Sequence, residues 1–307
     1  MLNTPVLLIA FNRPIQTKKV FEQIRKNKPR KFYIAIDGPR SNKPEDLIKI
    51  KKVYEIFKNI DWKCSTFFLK RKNNLGCKNS VSSAIDWFFK FEQQGIILED
   101  DCLPCSDFFF FCQELLLKYE YNKNIHMISG VNFQDGNIRG DGSYYFSKLT
   151  HVWGWATWKR AWKLYDINMS YWPSFKKSEE FKKIFNLRKP TKYFRSIFDS
   201  TFNSKIDTWD YQWTACVWYN KGLSIIPNNN LVINIGFDAD ATHTHIKPKN
   251  LNDQKTKNIL PIIHPSAIKR NSQADEYTFD NYLAGPEISF FKKIIEKIKY
   301  FFFNNKI

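Results

Sequence analysis

Three consecutive acidic residues, Glu99, Asp100 and Asp101, are the side chains in this sequence best placed to do chemistry. They directly follow an apolar run at 95–98 that predicts a buried strand, so they lie at the carboxyl end of that strand. An open α/β sheet binds its ligand at this edge. Clustered carboxylates there can hold a divalent cation, which can bridge and neutralise the phosphates of a departing nucleotide diphosphate. The alternative is that the acids only solvate a strand end.

Polar residues also follow the first two predicted strands. Asn12 and Arg13 come after the apolar run at 6–11, and a cation at that position suits a diphosphate. Asp37 comes after the run at 32–36 and can hydrogen-bond a base or a ribose at the same edge of the sheet. A simple Asp-Gly turn is the alternative for this residue.

A second group of metal-ligating side chains lies in the segment 236–245. Asp238, Asp240, His243 and His245 offer oxygen and imidazole ligands at short spacing. The segment is therefore a rival metal site to the acidic triplet, or a polar loop.

The elements that must position these residues alternate along the first half of the chain. Strands are predicted at 6–11, 32–36, 66–69, 96–98 and 126–129. Helices are predicted at 14–26, 44–58 and 107–121, and a further apolar helical face is formed by Val81, Ile85, Phe88 and Phe89. This alternation predicts an α/β fold with a mostly parallel, Rossmann-like central sheet flanked by helices.

The second half changes character from about residue 144, where aromatic residues are frequent and the periodicity is irregular. Four tryptophans, Trp153, Trp155, Trp158 and Trp162, are more typical of a core than of a surface that stacks on a sugar. The glycine-rich stretch 135–141 is a weaker candidate for lining an acceptor cleft.

The carboxyl-terminal part divides into two segments. Residues 246–285 are rich in lysine and asparagine, and we expect them to be basic and poorly ordered. Residues 286–307 place apolar side chains on one helical stripe and lysines on the other side, which predicts a basic amphipathic helix. That helix either docks on the core or lies on an anionic membrane surface.

Composition limits the function. A chain of 307 residues with 43% hydrophobic content can bury a sizeable core, and a net charge of +18 attracts anionic partners. Neither a Walker loop nor a dinucleotide glycine fingerprint occurs. The six cysteines follow no disulfide spacing, which suits a reducing cytoplasm, and we expect neither a signal peptide nor a membrane-spanning segment.

Several short motifs together resemble a known family. They are Ala10-Phe-Asn-Arg-Pro14, Ile36-Asp-Gly-Pro39, Asn74-Leu-Gly76, Leu98-Glu-Asp-Asp101 and Gly154-Trp-Ala-Thr-Trp158. The series is similar to bacterial GT-A-type glycosyltransferases related to N-acetylglucosaminyltransferase I, over about residues 5–245. The resemblance implies a nucleotide-sugar-binding half at 1–143 and an acceptor and catalytic half at 144–245 of one GT-A domain.

The resemblance also implies roles for single residues. Asp101 would bind Mn²⁺, or Mg²⁺, beneath the diphosphate, while Glu99 and Asp100 contact the sugar or ribose. Asp37 would meet the uracil or the ribose, and His243 would lie near the diphosphate. The segment 209–213 looks like the one that carries the family's catalytic base, which nominates Asp210. A base there would take the acceptor hydroxyl proton and give inversion at the anomeric carbon.

We therefore expect a metal-dependent inverting glycosyltransferase. Its donor would be a nucleotide diphosphate sugar, first of all a UDP-sugar, and its acceptor a cell-surface glycan or lipid-linked precursor at the cytoplasmic membrane face. A sugar nucleotidyltransferase is the enzymatic alternative. A non-enzymatic nucleic-acid-binding protein is the second alternative, but no nucleic-acid-binding module is recognisable, so nucleic acid is not an expected partner.

Overall fold

The computed structural model describes residues 1–237 and 255–283. An eight-stranded sheet in the order β3-β2-β1-β4-β8-β6-β9-β7 forms its centre, and β5 and β10 form a separate two-stranded sheet. The strands are β1 Val6–Ala10, β2 Lys31–Ile36, β3 Ser65–Lys70, β4 Gln94–Glu99, β5 Cys102–Pro104, β6 Ile125–Ser129, β7 Tyr144–Ser147, β8 Trp155–Trp158, β9 Leu223–Pro227 and β10 Val232–Asn234.

Helices cover the sheet. They are α1 Pro14–Asn27, α2 Glu45–Ile56, α3 Gly76–Phe91, α4 Ser106–Lys118, α5 Lys159–Trp162, α6 Trp172–Phe175, α7 Glu179–Lys183, α8 Arg188–Phe202, α9 Asp210–Tyr219 and α10 Ser272–Thr278. A 3-10 turn at Phe57–Asn59 extends α2, and a π-helical turn at Phe279–Leu283 extends α10. No helix in the described part of the chain is long and apolar enough to cross a bilayer.

Strands β1 to β4 form the parallel half of the sheet. Strand β1 pairs in parallel with both β2 and β4, and β2 pairs in parallel with β3. All five residues of β1 are buried, as expected for a strand with helices on both faces. The carboxyl ends of β1, β2 and β4, at Ala10, Ile36 and Glu99, therefore meet at one edge of the sheet.

The second half of the chain completes the same sheet with two reversed strands. Strand β8 runs antiparallel between β4 and β6, and β7 runs antiparallel to β9 at the far edge. The other six strands point one way, because β6 and β9 are parallel to each other and β6 has the direction of β4. The predicted α/β class with a mostly parallel, Rossmann-like sheet is confirmed.

Two hydrophobic cores lie on opposite faces of the sheet. Alternate residues of β1 divide between them, since Val6 and Leu8 belong to one core and Leu7 and Ile9 to the other. The first core packs against α1, α2 and α4, and the second against α3, α8 and α9. Three of the four tryptophans assigned to the core are buried there, at 1–3% exposure: Trp155, Trp158 and Trp162.

The expectation of poor order at 246–285 is wrong for residues 272–283, which form α10 and the π-helical turn. Phe279 is 1% exposed and packs against Phe185 and Tyr193. The carboxylate of Asp275 accepts hydrogen bonds from Arg270 and the Ser147 hydroxyl. These few buried contacts hold a segment whose average composition is polar. The rival metal cluster at 238–245 and the predicted amphipathic helix at 286–307 lie outside the described residues.

Candidate functional site

A cleft of about 390 Å³ opens at the carboxyl ends of β1, β2 and β4. Six of the predicted site residues line it: Arg13, Asp37, Glu99, Asp100, Asp101 and Asp210. The structure thus brings together side chains that are up to 197 positions apart in the sequence. His243 lies outside the described residues.

The acidic triplet is built into the turn between β4 and β5. One Asp101 oxygen, Oδ2, accepts a hydrogen bond of 2.8 Å from Nη1 of Arg13, so the two charges form an ion pair at the wall of the cleft. Asp100 is buried, and its Oδ2 accepts a bond of 3.0 Å from the Phe11 backbone N–H. Burial and then the charges of Asp101 and Asp100 raise the pKa of Glu99 well above its ordinary value.

The residues that follow strand β10 lie over this ion pair. Because β10 pairs with β5, the residues that follow it pass over the triplet, and the Ile235 N–H donates to the Asp101 carbonyl at 2.8 Å. Gly236 comes next. A Cβ atom there would lie 2.2 Å from Asp101 Oδ2 and 2.9 Å from Arg13 Nη1, which is too close for any side chain. The glycine therefore allows the backbone to lie directly against the carboxylate and the guanidinium.

Asp37 holds a loop at the same edge. Its carboxylate accepts hydrogen bonds from the Asn74 amide at 2.9 Å and from the backbone N–H groups of Leu75 and Gly38. Burial raises the pKa of Asp37, and the hydrogen bonds from the backbone N–H groups of Leu75 and Gly38 oppose the shift. Its contact with a base or ribose stays a prediction, because the hydrogen bonds seen here join the loop after β2 to the loop before α3.

Asn12 faces away from the cleft. Its amide donates to Asp46 Oδ1 at 2.7 Å, and it is not among the lining residues. The buried Asp46 also accepts two bonds of 2.8 Å from the Arg40 guanidinium, which lowers the pKa of Asp46 to about 2. Arg40 does line the cleft, although it was not among the residues predicted from the sequence. Asn12 thus supports the carboxylate that holds a cleft arginine.

Asp210 is the first residue of α9, and its carboxylate accepts a hydrogen bond from the Thr208 hydroxyl. Three positions earlier, the exposed Asp207 also lines the cleft and was not predicted. Asp207 accepts bonds from the N–H groups of Cys77 and Lys78 at 3.0 and 3.1 Å, so it caps the first turn of α3. The two aspartates therefore have different hydrogen-bond partners: Asp207 caps a helix, whereas the carboxylate of Asp210 bonds to a nearby hydroxyl.

The charges in the cleft favour a cation. Among the described lining residues, six carry carboxylates and two carry guanidinium groups, and both arginines are paired with an aspartate. The described residues hold no group of three or more histidine, cysteine, aspartate or glutamate side chains that converge on one metal position. A cation held by one or two carboxylates, with the rest of its ligands from substrate phosphates and water, is compatible with this donor set and with the open cleft that Asp101 lines.

Comparison with known proteins finds no matching family model and no matching curated sequence. The fold is similar to solved structures. HddC from Yersinia pseudotuberculosis is 8% identical, with a TM-score of 0.31 over 51% of this chain and 77% of that one. A UDP-glucose pyrophosphorylase complexed with UDP-glucose is 11% identical, with a TM-score of 0.37 over 74% of this chain and 90% of that one. Overlaps this weak assign no activity, and the fold class rests on the strand order described above.

Proposed function

We propose that the protein is an enzyme that binds a nucleotide diphosphate sugar, first of all a UDP-sugar, and transfers the sugar with inversion to an acceptor hydroxyl. One observation carries the proposal: the acidic triplet at the end of β4 and the carboxylate of Asp210 line the same cleft at the carboxyl edge of the sheet. The proposed reaction needs both: the acidic triplet would bind the diphosphate through a cation, and Asp210 would receive a proton.

The donor side of the proposal assigns roles to the residues around Asp101. Asp101 would hold Mn²⁺ or Mg²⁺, with the diphosphate in the cleft that Asp101 and Gly236 both line. The cation would neutralise the charge that develops on the leaving diphosphate. Arg13, already beside Asp101, would contact the same phosphates, and Glu99 and Asp100 would border the sugar and ribose.

On the acceptor side, Asp210 would take the proton of the attacking hydroxyl. The acceptor oxygen forms a bond to the anomeric carbon while the bond from that carbon to the diphosphate oxygen breaks, so the configuration inverts. A carboxylate beside the reacting hydroxyl typically contributes about 10²- to 10⁴-fold to such a step.

Sugar nucleotidyl transfer is the second candidate, because one of the similar structures is a UDP-glucose pyrophosphorylase. The overlap is too weak to decide between the two reactions. The chemistry of the cleft bears on the choice: a nucleotidyl transfer must bind a triphosphate and a sugar phosphate together, whereas only two arginines line the described cleft. Release of UDP from a UDP-sugar, against release of pyrophosphate from UTP and a sugar 1-phosphate, separates the two activities.

Calorimetric titration with UDP, with and without Mn²⁺, tests the donor site. We expect Mn²⁺ to tighten binding by at least about tenfold in the unaltered protein, and this gain to vanish in Asp101→Ala. The readout is the gain in affinity on adding Mn²⁺, since loss of Asp101 also removes one ion-pair partner of Arg13, and the arginine can itself attract a diphosphate. Asp61→Ala is the matched control, because Asp61 is an exposed carboxylate paired with Arg25 on the surface. Absence of UDP binding under both conditions would contradict the proposal.

The place of action is a further part of the proposal. A glycan or lipid-linked precursor at the cytoplasmic membrane face would account for the net charge of +18, since anionic lipid attracts basic proteins. The stripe predicted at 286–307 supplies the proposed contact. The proposed membrane location does not depend on the identity of the donor and can be tested separately.

A further inference from the structure

A second cavity adjoins the cleft. Its volume is also about 390 Å³, within the range of small-molecule sites. Four residues line both spaces: Val152, Trp153, Asp210 and Phe237. Asp210 therefore lies at the junction, with the acidic triplet on its donor side and the second cavity beyond.

The walls of the second cavity are aromatic. Phe133 lies between Tyr282 and Trp153, with ring centroids 4.9 and 5.6 Å away, and Trp153 meets Phe237 at 5.9 Å. Tyr193 and Tyr211 add two more rings from α8 and α9. Half-buried rings that converge on an open space offer flat faces to the C–H groups of a ligand.

The charge of this cavity differs from that of the cleft. Among its described lining residues, Asp210 carries the only carboxylate and His151 is the only basic residue, and burial lowers the pKa of His151 to about 3. The other polar groups are hydroxyls, among them those of Thr150 and Thr214, which hydrogen-bond each other. A phosphate or carboxylate here would meet no cation among the described lining residues and would lie near the carboxylate of Asp210.

The segment that follows α10 closes one side. Tyr282 and Leu283 line the cavity, and the hydroxyls of Tyr282 and Tyr277 both donate to the carboxylate of Asp135. Two hydrogen bonds thus tie α10 and the turn after it to the loop after β6. The chain beyond residue 245, which was expected to be outside the catalytic domain, contributes a wall.

We propose that the second cavity is the acceptor subsite and that it takes a neutral sugar, stacked on the aromatic walls with one hydroxyl directed at Asp210. The assignment rests on the proposed function, because it needs a donor in the neighbouring cleft. It goes further in naming the acceptor chemistry: uncharged, with a flat C–H face and hydroxyl groups.

Saturation-transfer difference NMR on the full chain, with UDP and Mn²⁺ present, tests this assignment. The probes are methyl glycosides of neutral hexoses and their 6-phosphates. We expect saturation transfer to the neutral glycosides and none to the phosphates. Tyr282→Ala and Tyr211→Ala should each weaken binding of the neutral glycoside roughly tenfold, since each removes one stacking face. Tyr282→Phe, which keeps the ring and loses the bond to Asp135, should bind more tightly than Tyr282→Ala.

Tyr121→Ala is the control, because Tyr121 follows α4 and is 87% exposed. Equal binding of the phosphates would overturn the assignment, as would neutral binding that survives both alanine variants. UDP affinity is measured on the same samples. UDP binding without glycoside binding would refute the acceptor subsite and leave the donor site standing, whereas glycoside binding without UDP binding would refute the proposed function.

Discussion

Asp210 is positioned to act on two ligands, because it lies where the cleft meets the aromatic cavity. If it is the base, Asp210→Asn should lower the rate of sugar transfer by about 10²- to 10⁴-fold, since an amide cannot accept the proton. The binding of UDP with Mn²⁺ should change by less than about twofold, because the variant keeps the size of the side chain. Transfer assays and calorimetry on the same sample check both. Retained turnover would remove Asp210 from this role.

Asp207 provides a contrast at the same wall of the cleft. Its carboxylate accepts hydrogen bonds from the N–H groups of Cys77 and Lys78, so its role is to cap α3. We expect Asp207→Ala to lower the free energy of unfolding by about 1 kcal/mol, the usual effect of losing a helix cap. Transfer per folded molecule should stay within about tenfold of normal, less than a lost base costs. A loss of transfer as large as that of Asp210→Asn would show that the base had been misassigned.

At the scale of elements, the site depends on how closely the segment after β10 approaches the turn after β4. The absent side chain of Gly236 lets that segment pass over Asp101 and Arg13. Gly236→Ala should therefore displace the ion pair and weaken Mn²⁺-dependent UDP binding by about tenfold or more, since a Cβ at 2.2 Å cannot be accommodated without movement. Calorimetry gives the affinity, and thermal unfolding shows whether the fold is intact.

Gly136→Ala is the comparison for that variant. Gly136 has φ +86°, and a Cβ there would meet nothing within 4 Å. The substitution should cost about 1 kcal/mol in stability through backbone strain and leave UDP affinity unchanged. If both alanine variants lost affinity equally, the effect at Gly236 would be general destabilisation.

The sequence predicted the parallel half of the sheet because the information there is local. Each of these strands is a short apolar run, and the residue directly after it lies at the ligand edge of the sheet whatever the neighbouring strands are, as Asp37 after β2 and Asp100 after β4 show. Strands β7 and β8 were not predicted, since each has four residues and depends on distant partners. Asp207 and Arg40 were missed for the same reason: their positions in the cleft depend on loops and on the buried Asp46.

For the whole molecule, the sign of the charge differs between the surface and the cleft. The chain carries +18, yet six carboxylates and two arginines line the described cleft. A basic groove on the surface is formed between α7 and α8, where Lys182, Arg188, Lys192 and Arg195 are among the lining residues. The exterior can therefore attract an anionic surface while the cleft favours cations.

Vesicle sedimentation tests the membrane part of the proposal. We expect binding to vesicles with anionic lipid, little binding to purely zwitterionic ones, and a steep loss as salt rises from about 0.05 to 0.5 M. Deleting residues 286–307 should remove most of the binding, because the predicted stripe buries apolar side chains in the interface. Unchanged binding after the deletion would leave the membrane contact to other basic surfaces, with the groove between α7 and α8 as the first to substitute.

The stability of the whole fold should depend on two buried histidines. Burial, followed by the charges of Arg160 and Lys148, lowers the pKa of His126 to about 4, and burial lowers that of His151 to about 3. The unfolded chain binds these protons at about pH 6.5, so between pH 6.5 and 4 it holds more protons than the native state. Stability contributed by the neutral imidazoles is therefore present above pH 6.5 and is lost as the pH falls toward 4.

Denaturant unfolding of the unaltered protein and of His126→Asn, at pH 7.5 and pH 5, isolates the contribution of His126 to the pH dependence of the free energy of unfolding. Groups common to both proteins, including the carboxylates whose pKa is raised or lowered by folding, cancel in the difference. The unaltered protein should lose roughly 2 kcal/mol more than the variant between the two pH values, because 1.5 pH units lie between the unfolded pKa and pH 5. A difference that stays constant with pH would mean that His126 takes up its proton at the same pH in the native protein as in the unfolded chain, which its burial at 2% exposure makes costly.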